Sequence, residues 1–432
     1  MATPLARRPE ADGASPQVVP ATGRPRLYLL PSLARPRRTL SPRAGYAVAA
    51  LVVGLGLFAS VTPSPLYSTY SVLWHFSPLT LTLIYATYAF GVLASLSLAG
   101  GVSDDVGRRP VLLVALGALM ASSVLFMVAG SAAWLFVARG LQGLATGAAL
   151  SAASAALLDL HPKRDPAGVG LTTATAASSG IGLGALASSS LVQLGTLPRV
   201  LPYVVLFVLF AVAFAGTYWM PEPIEKRGRF RLTAERPSVP AVARRPFFLA
   251  ALAVLSSWSI GGLFFSLGPQ LAAHLFNSSN VIVSGSGIVA LAGAAVVAQL
   301  LTGRSAPWIG AGVGSIALAA GMVLIVFAAA RDSSAAYLAG SILAGAGFGA
   351  AFLGGLRALA AAIPHQHRAA VMSAFYVAAY TSLSLPAVLA GIVVAHVTLP
   401  TTFEIFGSVD AVIALIVAFE AWRTRPTPQL AA

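Results

Sequence analysis

The sequence holds no cysteine, which excludes disulfides, thiolate nucleophiles, iron–sulfur clusters and cysteine-built zinc sites together. Charge is nearly as scarce. Only 9% of the 432 residues are charged, against about 25% in a soluble domain. With 57% hydrophobic residues and a mean hydropathy of +0.83, the chain lacks the polar residues to coat a water-facing surface. A soluble enzyme is excluded, and so is a disordered chain, which needs low hydrophobicity. No Gly-x-x-x-x-Gly-Lys loop is present, so nothing in the chain binds ATP as a drive. Among the histidines only His365 and His367 lie close together, without further ligands, and neither a metal nor a cofactor is expected. The glycine cluster Gly345-Ala346-Gly347-Phe348-Gly349 sits in an apolar run and reads as a helix-packing face, not a dinucleotide loop.

What the chain does have is long apolar runs. A helix crosses a hydrocarbon core of ~30 Å with about 20 residues. Such runs fall at 45–72, 79–100, 110–130, 132–159, 167–193 and 200–220, then at 247–274, 281–303, 307–330, 335–363, 369–396 and 402–422. No alternating ten-residue segments suggest an outer-membrane barrel. The fold class expected is therefore an all-α membrane protein of twelve transmembrane helices. A Pro-, Ala- and Arg-rich tail (1–43) precedes a first set of six spans (44–220). A charged central loop (221–246) with Pro221, Pro223, Pro237, Pro240 and Pro246 divides it from a second set (247–422), followed by a short tail (423–432).

The net charge of +14 invites a nucleic-acid reading. Location argues against it. The arginine-rich tail, Arg108, Arg109, Lys163, Arg164, the central loop, Arg304, Arg368, Arg423 and Arg425 all fall on one side of the twelve spans. Only Arg199 and Arg331 fall on the other. This is the positive-inside pattern, so both termini are expected in the cytoplasm, with no nucleic acid as partner.

The two sets of spans align with each other. A shift of 202 residues places Gly143 on Gly345, Gly147 on Gly349, Ala148 on Ala350, Ala149 on Ala351 and Pro162 on Pro364. The shared glycines fall within the fourth helix of each set and the shared proline just after it. Parallel six-helix repeats are a transporter plan, with the substrate between the halves near the midplane.

The loop between spans two and three reads Gly100-Gly101-Val102-Ser103-Asp104-Asp105-Val106-Gly107-Arg108-Arg109. It resembles the Gly-x-x-x-Asp-(Arg/Lys)-x-Gly-Arg-(Arg/Lys) signature of the major facilitator superfamily, departing at Asp105. Span four adds Arg139-Gly140-Leu141-Gln142-Gly143-Leu144-Ala145-Thr146-Gly147, similar to that family's Arg-x-x-Gln-Gly-x-x-x-Gly. The resemblance implies two pseudo-symmetric six-helix bundles and a gating role for Gly100, Asp104, Gly107, Arg108 and Arg109. Asp104 would sit against Arg109 or the positive end of span eleven and lock the cytoplasmic side; an ordinary loop ion pair is the plainer reading. Span five, Gly180-Ile181-Gly182-Leu183-Gly184-Ala185-Leu186-Ala187-Ser188, keeps the glycine spacing of the family's antiporter motif and loses its proline and final glycines. A small-residue packing face explains those glycines equally.

Ionisable residues inside spans are costly and call for a reason. Arg139 and Arg357 each lie ~10 Å from a span end. The resemblance places the first, fourth, seventh and tenth helices around a central cavity, and hence both arginines and Gln142 there. Cavity cations suit an anionic or carbonyl-bearing substrate, or a moving proton; snorkelling to the headgroups is the alternative. Asp410, the one acid well inside a span, is a candidate proton carrier or a polar contact to a neighbouring helix. Tyr67, Tyr70, Trp258, Phe264 and Phe265 could stack on a flat substrate or serve as packing. Pro269 and Pro386 are expected to kink spans seven and eleven. The first span contains no acid.

These readings lead to a secondary transporter of a small organic compound in a bacterial cytoplasmic membrane. It would act as a monomer by alternating access, in proton-coupled efflux. Metabolite uptake and a non-transporting ligand sensor are the alternatives.

Overall fold

The computed structural model describes residues 39–99, 102–224, 238–363 and 368–425. Among these, twelve helices are long and apolar enough to cross a membrane: Pro42–Trp74, Pro78–Leu98, Arg108–Met127, Ala132–Leu160, Pro166–Leu194, Leu201–Trp219, Arg244–Ser266, Val281–Thr302, Pro307–Arg331, Ser334–Ala362, Ala370–Val393 and Leu399–Arg423. They are the first to twelfth spans below. No strand occurs among the described residues. The protein is an all-helical, multi-pass membrane protein. The tail before residue 39, residues 225–237 of the central loop, Gly100, His365, His367 and the last seven residues lie outside the described residues.

Local chemistry sets the span ends. Proline opens the first, fifth and ninth spans at Pro42, Pro166 and Pro307, where a missing N–H costs nothing. Side-chain caps satisfy other first-turn amides: Asp165 accepts from the Ala167 and Gly168 N–H at 3.0 Å each, and Asn280 from Ile282 at 2.9 Å. Because successive spans alternate direction, the first-span start and twelfth-span end share one face, called here the basic face. The opposite end is the far face.

Two spans are interrupted. The first breaks after Val61, passes through a 3₁₀ turn at Ser64–Leu66 and resumes at Tyr67; Pro63 and Pro65 each remove an amide donor there. The seventh ends at Ser266 and restarts as Gly268–Leu275, ahead of Pro269. The repeat shift of 202 residues carries the first break onto the second. Span eleven runs through Pro386 as one helix.

Close helix packing follows the repeat as well. A Cβ on Gly143 would stand 2.2 Å from the Tyr88 carbonyl oxygen of span two. One on Gly345 would stand 2.2 Å from the Leu291 carbonyl oxygen of span eight. Only glycine lets the backbones meet this closely.

The buried apolar residues divide unevenly between the faces. In the far half one core draws on both sets of spans, with Tyr85, Val92 and Ile181 of the first packed with Leu263, Leu291 and Leu383 of the second. Toward the basic face two separate cores form. One holds residues such as Val52, Leu157 and Met220, from the first six spans and the residue that follows them only. The other holds Val254, Leu359 and Phe375 from the last six only. Spans five and eight stay in contact along their length, from Ser189 at Gly285 to Leu171 at Gly303.

Candidate functional site

The break in the first span creates the chemistry. Pro63 has no N–H, so the Ala59 carbonyl loses its α-helical donor. Gln142 of span four supplies one, its Nε2 donating to Ala59 O at 3.1 Å. Arg139, one turn earlier, donates from Nη1 to Ser60 O at 2.8 Å and to Gln142 Oε1 at 2.7 Å. Ser188 of span five donates to Thr62 O at 2.6 Å. A break that would strand carbonyls in hydrocarbon is thus stitched to two neighbouring helices.

The remaining Arg139 nitrogens converge on one phenol: Nε and Nη2 donate to Tyr67 Oη at 3.0 and 2.5 Å. The guanidinium also lies over three rings, 5.6 Å from the centre of Tyr67, 6.0 Å from Tyr85 and 5.4 Å from Tyr88. Arg139 has no exposed surface. None of the ion pairs among the described residues includes it. A guanidinium cannot shed its charge as a lysine does. Phenol faces and carbonyl oxygens hold this cation without neutralising it. Such a group attracts a carboxylate or another anion far more strongly than a water-exposed arginine would.

Of the residues singled out from sequence, Arg139, Gln142 and Tyr67 meet here. Tyr85, Tyr88 and Ser188 join them unforeseen; the two tyrosines sit a turn apart in an aromatic-rich helix, and no charge pattern marks them. Tyr70 lies apart, its hydroxyl 3.4 Å from that of Tyr203 and its ring stacked on Trp74 at 4.9 Å. Trp258 packs between Phe352 at 5.4 Å and Tyr380 at 5.1 Å in the second set of spans. Arg357 does not approach Arg139. It donates to the Ser305 and Thr302 carbonyls at 3.0 and 3.5 Å, capping the basic end of span eight. Its height in span ten sets it level with that loop. Asp410 is buried between spans twelve and seven; its Oδ1 accepts from Ser259 Oγ at 2.5 Å, and its Oδ2 has no partner.

The loop after span two makes a second cluster, on the basic face. Gly107 adopts φ +110°, and a Cβ there would meet Glu222 Oε2 at 2.8 Å, so the turn demands glycine on both counts. Glu222, just past span six, caps span three by accepting from the Arg108 and Arg109 amides at 3.0 Å each. Asp104 pairs with Arg108 at 2.5 Å, one turn on, rather than with Arg109, whose guanidinium lies 5.0 Å from the Tyr218 ring centre. Arg108 also reaches Asp159 at the end of span four at 3.0 Å. Asp104 itself is largely exposed. Glu222 was not anticipated; its only signal is an acid between two prolines directly after an apolar run.

Comparison with known proteins agrees with this architecture. The family model of the Major Facilitator Superfamily matches residues 46–331. No curated protein sequence matches the chain. Among solved structures, the crystal structure of the human organic anion transporter MFSD10 (TETRAN) is similar at 17% sequence identity and a TM-score of 0.63, covering 88% of this chain and 99% of that one. At that identity the likeness is one of fold.

Proposed function

This chain belongs to the Major Facilitator Superfamily, and we propose that it exports a small organic compound with an anionic or carbonyl group, in exchange for protons. It is a membrane transporter and not an enzyme. The observation that carries the mechanism is the uneven division of the apolar core. Two bundles that share a core in the far half and keep separate cores toward the basic face are closed on one side and separable on the other. Reversing which halves share a core moves a bound solute from one side to the other, which is alternating access.

The substrate class rests on Arg139. A buried cation held by neutral groups gains most from a ligand that brings negative charge. The similar human structure is that of an organic anion transporter, in keeping with this reading. Export is supported by the fifth-span glycine spacing, which resembles that of antiporters. Those glycines also pack the helix, with a Cβ on Gly180 reaching the Gly54 carbonyl of span one at 2.0 Å. The basic face is assigned to the cytoplasm on the strength of its arginines.

The test uses purified protein in liposomes loaded with a pH-sensitive dye, under an imposed pH gradient and a panel of organic anions and neutral analogues. Dissipation of the gradient by anions alone would support the reading. Compounds that raise thermal stability while moving neither protons nor radiolabel would make the chain a sensor. Radiolabel flux without proton movement would make it an uncoupled carrier.

A further inference from the structure

A cavity of about 510 Å³ opens at the basic face inside the second bundle. Its walls come from spans seven, nine, ten and twelve, so it is separate from the path between the bundles. Leu249, Ala253, Ala311, Gly355 and Val417 make the walls apolar, and Trp308 stands near the mouth. Arg245, Arg423 and Arg425 line the same cavity from the first turn of span seven and the end of span twelve. Among the described residues one acid answers them: Arg423 pairs with Glu420 at 3.0 Å. The described rim residues therefore keep a net positive charge. Spans seven and nine begin here while ten and twelve end here, so their helix dipoles oppose and the arginines carry the charge.

We propose that this cavity binds an anionic phospholipid from the leaflet next to the basic face, with its phosphate at Arg245, Arg423 and Arg425 and an acyl chain in the apolar chamber. The dimensions suit it. From Arg245 to Ala253 the wall runs eight residues, or ~12 Å of helix, and from Arg423 back to Val417 six, or ~9 Å, below the charged rim. A free inorganic anion would use the arginines and leave the apolar walls idle. A zwitterionic lipid would fill the chamber and gain little from the rim. Basic pockets between transmembrane helices are suited to anionic headgroups, and tryptophan to the same depth.

The experiment is a titration of delipidated, full-length protein in non-ionic detergent, read by native mass spectrometry. The probes are phosphatidylglycerol, phosphatidylcholine of matched chains, and inorganic phosphate. One phosphatidylglycerol should bind saturably and resist displacement by phosphate. Each arginine near an anionic headgroup contributes about fivefold in affinity, so the triple variant Arg245→Gln/Arg423→Gln/Arg425→Gln should bind it roughly a hundredfold more weakly. Ala358→Phe, which narrows the chamber from an exposed position on span ten without touching the charges, should weaken it too. Equal affinity in wild type and triple variant would overturn the proposal. So would equal affinity for the two lipids, displacement by phosphate alone, or indifference to Ala358→Phe. Thermal unfolding in lipid-free detergent checks that each variant is folded. Should the triple variant fail to fold, Ala358→Phe and the lipid comparison still decide.

Discussion

Replacing Arg139 with methionine separates holding the fold from handling the substrate. On insertion scales an arginine at a helix centre costs ~2.5–3.5 kcal/mol. Interhelical hydrogen bonds in a membrane return ~0.6 kcal/mol each on average. Arg139 makes three such bonds, two to Tyr67 and one to Ser60, which together return about 2 kcal/mol on that scale. The two effects nearly cancel, and methionine removes both while keeping much of the stem volume. What remain are the Ser60 carbonyl and Gln142 Oε1, both left without their arginine donor, a loss of about 1–3 kcal/mol each. Arg139→Met should therefore stay folded and monodisperse, with a melting temperature lowered by about 4–24 °C, since 1 kcal/mol moves a domain of 150–250 residues by about 2–4 °C. Transport of the anionic substrate should fall to background, because no other cation lies among Tyr67, Tyr85 and Tyr88. Arg139→Lys should be intermediate, keeping the charge and losing the planar fork. The assays are size-exclusion with thermal unfolding in detergent, and flux in liposomes. Near-normal flux through a folded Arg139→Met protein would refute the substrate role. Loss of the folded species would refute the energetic balance and make Arg139 a structural strut.

Gly143→Ala should lower thermal stability by about 1–3 kcal/mol or more, as overpacking does, because its Cβ meets the Tyr88 backbone and cannot push a side chain aside. Gly117→Ala is the control: nothing lies within 4 Å of its Cβ, and alanine should gain up to ~1 kcal/mol of helix propensity. Glu222→Gln should cost about 1–2 kcal/mol in the same unfolding assay, since a charge-assisted cap on two amides becomes a neutral one. Asp410→Asn should leave the pH dependence of flux unchanged, because the carboxyl lies between spans twelve and seven and joins neither Arg139 nor the loop cluster; a displaced pH profile would make it a coupling site.

Composition alone made the fold legible. Apolar runs placed every span start within three residues of the observed helix, because a 30 Å hydrocarbon layer allows one solution per run. The interrupted first span was not foreseen, although Pro63 and Pro65 spell it out. A hydropathy average runs straight through two prolines, while the hydrogen-bond ladder cannot. Seeing that break would have led to Ser188 and to the task of Gln142, since stranded carbonyls need donors and the neighbouring helices supply them. Arg139 was visible because charge in hydrocarbon is rare. Its tyrosine partners were not, because tyrosine is as common in packing as in recognition. Arg357 illustrates the opposite hazard: the same depth argument that marked Arg139 marked a residue that caps the neighbouring helix end.

The two sets of spans are alike in scaffold and unlike in chemistry. Gly143 and Gly345 bring their helices equally close to a backbone carbonyl, and the breaks near Thr62 and Leu267 correspond under the repeat. Yet the shift that aligns them sets Ser341 against Arg139 and Ala344 against Gln142. Ser341 turns back on its own helix, donating to the Tyr337 carbonyl at 2.7 Å, and leaves the seventh-span break without a buried cation. The reason is local. Pro63 removes the amide that Ala59 O needs and creates an acceptor for a long polar side chain from span four. In the seventh span Pro269 falls two residues into the restarted helix, where its own amide is not required. The first break thus admits a charged donor that the second has no use for. If the proposed role of Arg139 holds, the cation that binds the solute comes from one bundle alone, with no counterpart at the matching position of the other.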